Sequence, residues 1–352
     1  MTPAARLGDP LDLKADVGLR NRIVATAHGS GAIADGLPVA GDAEYWGRVA
    51  AGGAAMVITG GTVVSADSTI RRGNFTEAWR PEVKPGLRRR ADAIHAAGAV
   101  ALVQLVHLGR ETLGAERYYA PVAPSAVRSR REPTAPRALG DAELATLVQA
   151  HRVSAEHALE TGFDGIELHA ASGYLPMQFL STGTNQRRDA YGGDLAGRLR
   201  FVIETIEALS AVAGAERVGI RICPGNPFND LQDERPQETY AALLKQLTSM
   251  RLAYLHVIRS PDASLDAFAL ARECFHGAKI FNDGFDLASG SQAIRAAGAA
   301  AVSYARAFIA NPDLVARWCH GWPLAAFDRK TLYTPGAAGY TSYPAYQGQP
   351  RG

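Results

Sequence analysis

The chain has 352 residues, of which 47% are apolar and 20% are charged, a composition typical of a globular protein. Its 37 basic and 35 acidic residues leave a net charge of +2, which offers no electrostatic footprint for nucleic acid or for an anionic membrane surface. Three scattered cysteines argue against a disulfide framework, and no apolar run reaches the roughly 20 residues that span a bilayer. Because the N-terminus also lacks the layout of a signal peptide, we expect a soluble, cytoplasmic protein.

Short apolar runs alternate along the chain with longer amphipathic stretches, which is the pattern of strands that are each followed by a helix. The predicted strands are residues 22–27, 54–59, 99–104, 165–168, 217–222, 254–257, 278–281 and 300–304. The predicted helices are residues 42–51, 80–97, 141–161, 194–213, 236–250, 266–274 and 287–297. Several of these helices begin at an Asp, a preferred N-cap residue. Eight strands with intervening helices predict an α/β fold, a closed (β/α)8 TIM barrel, as a single domain over residues 1–352.

A doubly wound sheet is the alternative arrangement of these elements, but no GxGxxG motif follows the first strand. The longest stretch without periodicity, residues 107–139, is predicted to be a loop after the third strand. A second irregular stretch, residues 224–235, follows the fifth strand. The tail from Tyr333 onward is rich in Gly, Tyr and Pro and is predicted to pack as an extended segment.

Polar side chains collect where the predicted strands end, which is where barrels carry their functional residues. In chain order they are Gln104 and His107, then His169, Ser172 and Tyr174, then Arg221, then Asn282, Asp283 and Gly284, and finally Arg306. Each of them alone has an ordinary structural explanation, such as a histidine that makes structural hydrogen bonds within a loop. Their joint occurrence at successive strand ends predicts one shared site.

Several segments carry a resemblance to a known family. They are RNRIV (20–24), TGGT (59–62), QLVHLGR (104–110), PVAPSA (121–126), PRAL (136–139), GFDGIELH (162–169), the long run GYLPMQFLSTGTNQRRDAYGGDLAGRLRF (173–201), RVGIR (217–221), RAFIANPDL (306–314) and GYTSYP (339–344). In this order, from residue 11 to residue 344, the chain resembles the old yellow enzyme family of FMN-dependent ene-reductases. The resemblance implies non-covalent FMN, reduced by NADPH or NADH, and a small-molecule substrate. It implies neither nucleic acid nor membrane partners, and we expect a monomer or a homodimer.

The resemblance also assigns residues to the cofactor. Gln104 would pair with the pyrimidine edge of the flavin, and an amide suits that edge because it both donates and accepts. Arg221 would stabilise the anionic reduced flavin with its permanent charge. The backbone at Gly284 and Ala305, together with the Arg306 cation, would hold the phosphate. The further implied neighbours of the flavin are Ala27, His28 and Gly61.

For the substrate, the resemblance assigns His169 and Ser172 to the carbonyl oxygen of an α,β-unsaturated compound. Polarising that oxygen stabilises the negative charge that develops as hydride arrives from N5 of FMN at the β carbon. Tyr174 would then protonate the α carbon, since a phenol is neutral at pH 7 and can donate. Tyr340 would lie beside the substrate, and Cys223 is expected to be inert because no histidine stands ready to activate it.

Three departures from the family pattern bear on the reaction. Ser172 stands where relatives carry Asn or His, and Val106 stands where a Trp is common. The first strand ends in Thr26-Ala27-His28-Gly29-Ser30, so that Gly29 has no side chain to tune the flavin. These changes keep open a specialised flavoenzyme, such as a desaturase or an isomerase, on the same scaffold. A barrel without flavin, either a hydrolase or a ligand-binding protein, is the alternative from another class.

Overall fold

Eight parallel strands surround the centre of the molecule and close into a barrel. The structure, a computed structural model, describes residues 6–13, 17–68, 75–111, 119–332 and 334–348. Within these residues each barrel strand pairs with the next one along the chain, and the last pairs with the first. The strands are β1 (Ile23–Ala25), β2 (Met56–Val63), β3 (Val100–Val106), β4 (Gly165–Ala170), β5 (Val218–Ile222), β6 (Tyr254–Ile258), β7 (Lys279–Asn282) and β8 (Ala301–Tyr304). The predicted (β/α)8 barrel is confirmed.

Helices pack around the outside of the barrel and between its strands. They are α1 (Ala40–Ala51), α2 (Lys84–Ala96), α3 (Asp141–Glu160), α4 (Leu175–Leu180), α5 (Leu195–Ala213), α6 (Pro236–Ser249), α7 (Ala267–Cys274), α8 (Leu287–Ala296), α9 (Arg306–Ala310) and α10 (Leu314–His320). Seven of these helices match predictions to within a few residues. The helices α4, α9 and α10 were not predicted, because elements of five to seven residues are too short to show a helical period.

The second strand extends farther than predicted, to Val63 instead of residue 59. Its register shifts between Thr59 and Thr62, where the two glycines of the TGGT motif lie. A Cβ on Gly60 would lie 2.5 Å from the Cβ of Ala27, so the bare backbone lets β2 approach the end of β1. Glycine has low strand propensity, and the pairing of the flanking Thr59 and Thr62 with β3 overrides it here. Gly61 therefore lies inside a strand, and not beyond the strand end as predicted.

Two of the aspartates at predicted helix starts are not N-caps. Asp141 is the first residue of α3, and Gly140 is the N-cap residue. Asp42 is the third residue of α1 and is fully buried, where its carboxylate pairs with Arg90 (Nε–Oδ2 2.6 Å) and accepts a hydrogen bond from Ser30 (2.6 Å). A buried guanidinium requires such a partner, so this carboxylate faces the interior instead of capping its helix.

The irregular segments contain short elements of their own. Residues 107–139 include two paired strands, Val122–Ala123 and Arg137–Ala138, while residues 112–118 lie outside the described part. Elsewhere, Leu11–Asp12 pairs with Gly18–Leu19, Ile33–Ala34 pairs with Leu37–Pro38, and Thr76–Glu77 pairs with the end of β2. Short 3-10 helices cover Ala66–Ser68, Pro81–Val83, Ala215–Arg217, Phe228–Asp230 and Arg329–Thr331. No helix in the described residues is long and apolar enough to cross a membrane.

The tail differs from the predicted extended segment. Tyr333 itself lies outside the described residues, and residues 335–343 form turns and bends. The backbone N–H groups of Tyr340 and Thr341 both donate to the carbonyl of Ala337 at 3.0 Å, which folds the tail back on itself. The consequence is that Tyr340 is brought inward, to 2% exposure.

Asp194 caps α5 as predicted, and this contact can be tested. Its carboxylate accepts a hydrogen bond from the backbone N–H of Gly197 at 2.8 Å. Asp194→Ala should lower the free energy of unfolding by about 1 kcal/mol, the usual cost of a lost N-cap. The measurement is urea unfolding, with Glu207→Ala, an exposed residue of the same helix, as the control. Equal stability of the two variants would contradict the capping role.

Candidate active site

Polar side chains from four barrel strands converge at the C-terminal mouth. Gln104 of β3, His169 of β4, Arg221 of β5 and Asn282 of β7 are all between 4% and 8% exposed. The register aligns His169 with Arg221 on neighbouring strands, and the Arg221 guanidinium donates to the Asn282 Oδ1 at 2.6 Å. Parallel strands end on the same side, so these residues meet although they are far apart in sequence. The structure thus brings the central predicted cluster together.

His169 is held as a neutral imidazole. Burial and the neighbouring Arg221 cation lower its pKa to about 3. Within the described residues its Nδ1 atom is buried and has no hydrogen-bond partner. A neutral imidazole carries one N–H that can donate to a carbonyl oxygen, and it brings no charge of its own. The site therefore offers a hydrogen-bond donor whose protonation state does not change above about pH 4.

Tyr174 lies beside His169, with the two ring centroids 5.1 Å apart and the rings nearly perpendicular at 72°. The chain reaches this position through a sharp turn, because Ser172 and Gly173 both have positive φ angles, of 57° and 74°. A Cβ on Gly173 would lie 2.7 Å from the carbonyl oxygen of Phe228, so only glycine fits there. The turn places the phenol at the start of α4, next to the histidine.

An apolar wall flanks the tyrosine. Val63 at the end of β2, Val106 at the end of β3 and Leu108 are buried together, and Phe75 and Tyr174 pack against them. Val106 stands where the resemblance implies a tryptophan, and the valine is the smaller of the two side chains. The mouth combines hydrogen-bonding groups on one side with apolar surface on the other, as small-molecule sites usually do.

Ser172 uses its backbone to brace the turn. Its N–H donates to the Cys223 sulfur at 3.1 Å, and its carbonyl accepts from the Asn229 side chain at 2.9 Å. Its side chain is half-buried at the mouth. Burial raises the pKa of the Cys223 thiol to about 12, so that this sulfur stays protonated. A protonated thiol is a poor nucleophile, which agrees with the expectation that Cys223 is inert.

The predicted phosphate end lies at β7 and β8. Gly284 follows β7 with a φ angle of 74°, and Arg306 is the first residue of α9, directly after Ala305. The Arg306 guanidinium pairs with Asp283 at 3.1 Å, and both side chains are about half exposed. One neighbour was not predicted: Arg259 follows β6, and its Nε lies 3.9 Å from the position that a Cβ on Gly284 would take. Two cations thus border this backbone turn.

His28, three residues after β1, has both of its ring nitrogens hydrogen-bonded within the protein. Its Nδ1 bonds to the Thr26 carbonyl at 2.8 Å and its Nε2 bonds to the Tyr45 hydroxyl. Burial is the main cause that lowers its pKa to about 4. Tyr340 packs against the same Tyr45 ring at 5.4 Å between centroids. Because both ring nitrogens of His28 are engaged, the imidazole has no free nitrogen to offer a ligand.

A polar chain inside the barrel was not predicted. Glu167 of β4 accepts hydrogen bonds from Gln104 (2.6 Å) and from His256 of β6 (2.8 Å). His256 in turn contacts Ser303 of β8 (2.8 Å), which contacts Asn282 (2.8 Å). Charged and imidazole side chains inside strands that are otherwise apolar were the available signal, since such groups are rarely buried without partners.

The residues present suit the FMN that the resemblance implies. Besides His169 Nδ1, the hydroxyls of Thr26 and Thr62 at the ends of β1 and β2 are buried without a hydrogen-bond partner in the described residues. Buried polar atoms are normally satisfied, so these atoms call for a polar ligand at the mouth. The donor set, an amide and a guanidinium at one side and a cation-flanked backbone turn at the other, matches a flavin with its phosphate. No group of three potential metal ligands occurs in the described residues.

Comparison with known proteins agrees with this geometry. Residues 6–325 match the family described as NADH:flavin oxidoreductase / NADH oxidase. A protein named probable flavin mononucleotide-dependent alkene reductase, from Leishmania infantum, is 36% identical over 81% of this chain and 84% of its own length. Morphinone reductase in complex with tetrahydroNAD superposes with a TM-score of 0.89 at 33% identity, covering 97% of this chain and 98% of that one.

An old yellow enzyme homologue from Zymomonas mobilis has a TM-score of 0.90 at 29% identity, and the match covers 97% of this chain and all of the other. The family match covers most of the chain, and the solved relatives reproduce the whole barrel. FMN is the cofactor of this family. The chain therefore belongs to the old yellow enzyme family of FMN-dependent NADH:flavin oxidoreductases.

Proposed function

We propose that the protein is an NAD(P)H-dependent ene-reductase that reduces the C=C bond of α,β-unsaturated carbonyl compounds or similarly activated alkenes. The observation that carries the proposal is the neutral His169 imidazole beside the Tyr174 phenol, next to an apolar wall. A carbonyl oxygen needs a donor, an alkene needs apolar surface, and the reduced carbon needs a proton. All three are available at one barrel mouth.

In this proposal Gln104 and Arg221 hold the pyrimidine side of FMN, and Gly284, Ala305 and Arg306 hold its phosphate. Backbone groups at Ala27, His28 and Gly61 complete the contacts. When bound there, FMN would supply the hydride chemistry that links the nicotinamide to the β carbon of the alkene. Arg221 supplies the positive charge that the anionic reduced cofactor requires.

The chain's own residues prepare the substrate. His169 donates to the carbonyl oxygen and thereby stabilises the charge that develops there. Ser172 supplies a second, shorter polar group, and Tyr340 closes the site from the side of the tail. Tyr174 gives its hydroxyl proton to the α carbon and recovers a proton from solvent.

The first test is the cofactor and the overall reaction. Denaturing the purified protein should release free FMN, and NADPH or NADH with 2-cyclohexenone should give turnover. Release of FAD, or a flavin that stays attached to the denatured chain, would contradict the cofactor assignment. Rapid flavin reduction by nicotinamide without turnover of any enone would instead favour the desaturase or isomerase alternative.

The second test addresses His169. Phenols resemble the charged oxygen of the reaction, so His169→Ala should weaken their binding by about tenfold or more through the loss of the donor. The measurement is the absorbance change on phenol titration, with His95→Ala, at the opposite end of the barrel near Asp164, as the matched control. Normal phenol binding by His169→Ala, together with its loss in Ser172→Ala, would reverse the assigned order of the two residues.

A further inference from the structure

Six polar side chains form one continuous hydrogen-bonded chain through the barrel interior. It runs from Gln104 through Glu167, His256, Ser303 and Asn282 to Arg221. Three of the six come from the even strands β4, β6 and β8, and three come from the odd strands β3, β5 and β7. Barrel interiors are dominated by bulky apolar side chains, whereas these six side chains are polar. The two ends of the chain are the residues assigned to the pyrimidine side of FMN.

The contacts cross the barrel and do not merely link neighbours. Glu167 and His256 lie on β4 and β6, which are separated by β5, and their side chains are both completely buried. Ser303 bonds to His256 across β7 in the same way. If any member lost its partner, a buried polar group would remain without a hydrogen bond, and the protein would bear the full free-energy cost of its desolvation. Burying so many polar groups costs desolvation free energy. Because the chain ends at the two residues assigned to FMN, a role toward the cofactor would account for that cost.

The chemistry of the members determines the direction of each bond at the Arg221 end. A guanidinium only donates, so Asn282 accepts through Oδ1 and turns its amide nitrogen to Ser303. At the other end, a carboxylate only accepts, so the proton of His256 lies on Nδ1, facing Glu167. Burial lowers the pKa of His256, which leaves Nε2 as an acceptor for the Ser303 hydroxyl.

The same reasoning orients Gln104. Glu167 accepts from its amide nitrogen, so the amide has a single orientation and keeps its carbonyl and its second N–H for a ligand. Burial tends to raise the pKa of Glu167, but His256 and Arg221 outweigh that effect and lower the pKa, so the side chain is a carboxylate. A fixed negative charge thus stands directly behind the residue that meets the pyrimidine edge.

We propose that Glu167, held by His256, is a positioning residue for FMN: it orients the Gln104 amide toward the pyrimidine edge and lowers the flavin midpoint potential by its charge. This inference rests on the proposed contact between Gln104 and the flavin. Reduced flavin is anionic, so a nearby carboxylate disfavours it relative to the oxidised form. The carboxylate therefore balances the Arg221 cation and keeps reduced FMN a strong donor.

Two variants of Glu167 separate orientation from charge. Glu167→Gln removes the charge and makes the Gln104 amide face another amide. We expect at least a tenfold weaker binding of oxidised FMN to the apoprotein. We also expect at least a tenfold shift of relative affinity toward reduced FMN, a rise of about 30 mV for a two-electron couple. Glu167→Asp keeps the charge but no longer reaches Gln104. It should weaken FMN binding similarly, with less than a threefold change in the relative affinity.

Thr205→Val is the matched control, because it removes a buried hydroxyl on α5 that bonds to the Phe201 carbonyl, outside the barrel interior. Gln104→Ala distinguishes the contact between Gln104 and FMN from the positioning role of Glu167. If it leaves FMN affinity unchanged, the assigned cofactor contact is wrong. If Gln104→Ala weakens FMN binding, but folded Glu167→Gln and Glu167→Asp have the FMN affinity and the midpoint potential of Thr205→Val, the positioning role alone is overturned. Should Glu167→Gln fail to fold, unchanged FMN affinity in Glu167→Asp overturns it equally.

Discussion

Replacing Tyr174 with Phe should slow reoxidation of the reduced enzyme by an enone about a hundredfold or more, the usual effect of losing a general acid. The reason is that the α carbon loses its proton source while the ring, its packing on Val63 and Val106, and the adjacent His169 are retained. Reduction by NADPH or NADH needs no proton from this residue and should proceed at nearly the wild-type rate. Stopped-flow measurement of the two half-reactions tests this separation.

Tyr191→Phe provides the matched control for that variant. It also removes one phenol hydroxyl, which donates to Glu204 on α5 (2.8 Å) and not to the barrel mouth. Quinones, which accept electrons without protonation at carbon, should reoxidise the Tyr174→Phe variant much faster than enones do. Equal slowing of both half-reactions would mark Tyr174 as a structural residue. Wild-type enone turnover would show that another group or water donates the proton.

Arg221→Ala should lower the flavin midpoint potential markedly, while FMN should remain bound to the protein. The reduced anion loses its cationic partner, and about 3 kcal/mol of lost electrostatic stabilisation corresponds to about 60 mV for a two-electron couple. The phosphate contacts proposed for Gly284 and Arg306 remain, so the cofactor should stay bound. Potentiometry on the FMN-loaded variant is the measurement.

Arg221→Lys separates charge from geometry in the same experiment. A lysine keeps the charge but has no planar fork to reach both the flavin and Asn282, so it should recover part of the potential. A potential equal to wild type in folded, FMN-loaded Arg221→Ala would rule out the assigned role. Loss of FMN from Arg221→Ala, with Arg306→Ala still loaded, would instead move the main binding contact from the phosphate end to the pyrimidine side.

Much of the barrel was predictable because strands and helices leave patterns among residues that are close together in the sequence. Alternation of apolar runs and amphipathic stretches identified eight strands and seven helices, and polar residues at strand ends indicated the mouth. Boundaries were less accurate where tertiary pairing overrides propensity, as in β2, which continues through Gly60 and Gly61 to Val63. Short helices such as α4 were missed because they hold less than two turns.

The residues of the candidate site were likewise predictable in part. Gln104, His169, Tyr174 and Arg221 were identified from their types and positions, and the structure brings them to one mouth. The family resemblance implies that His28 is a neighbour of the flavin. Only the structure shows that its imidazole bonds to Tyr45, a partner that the packing of α1 supplies.

By itself, then, the amino-acid sequence determined the class of fold, the order of its elements and the residues that gather at the strand ends, because periodicity and motif spacing are properties of neighbouring residues. Only the tertiary structure decided that Glu167 meets His256, and that His256 meets Ser303. These partners are separated by 89 and 47 positions along the chain, and their contacts exist only once the barrel has closed. Whether a buried charge is stabilised or orphaned depends on such distant partners, which no local pattern can specify.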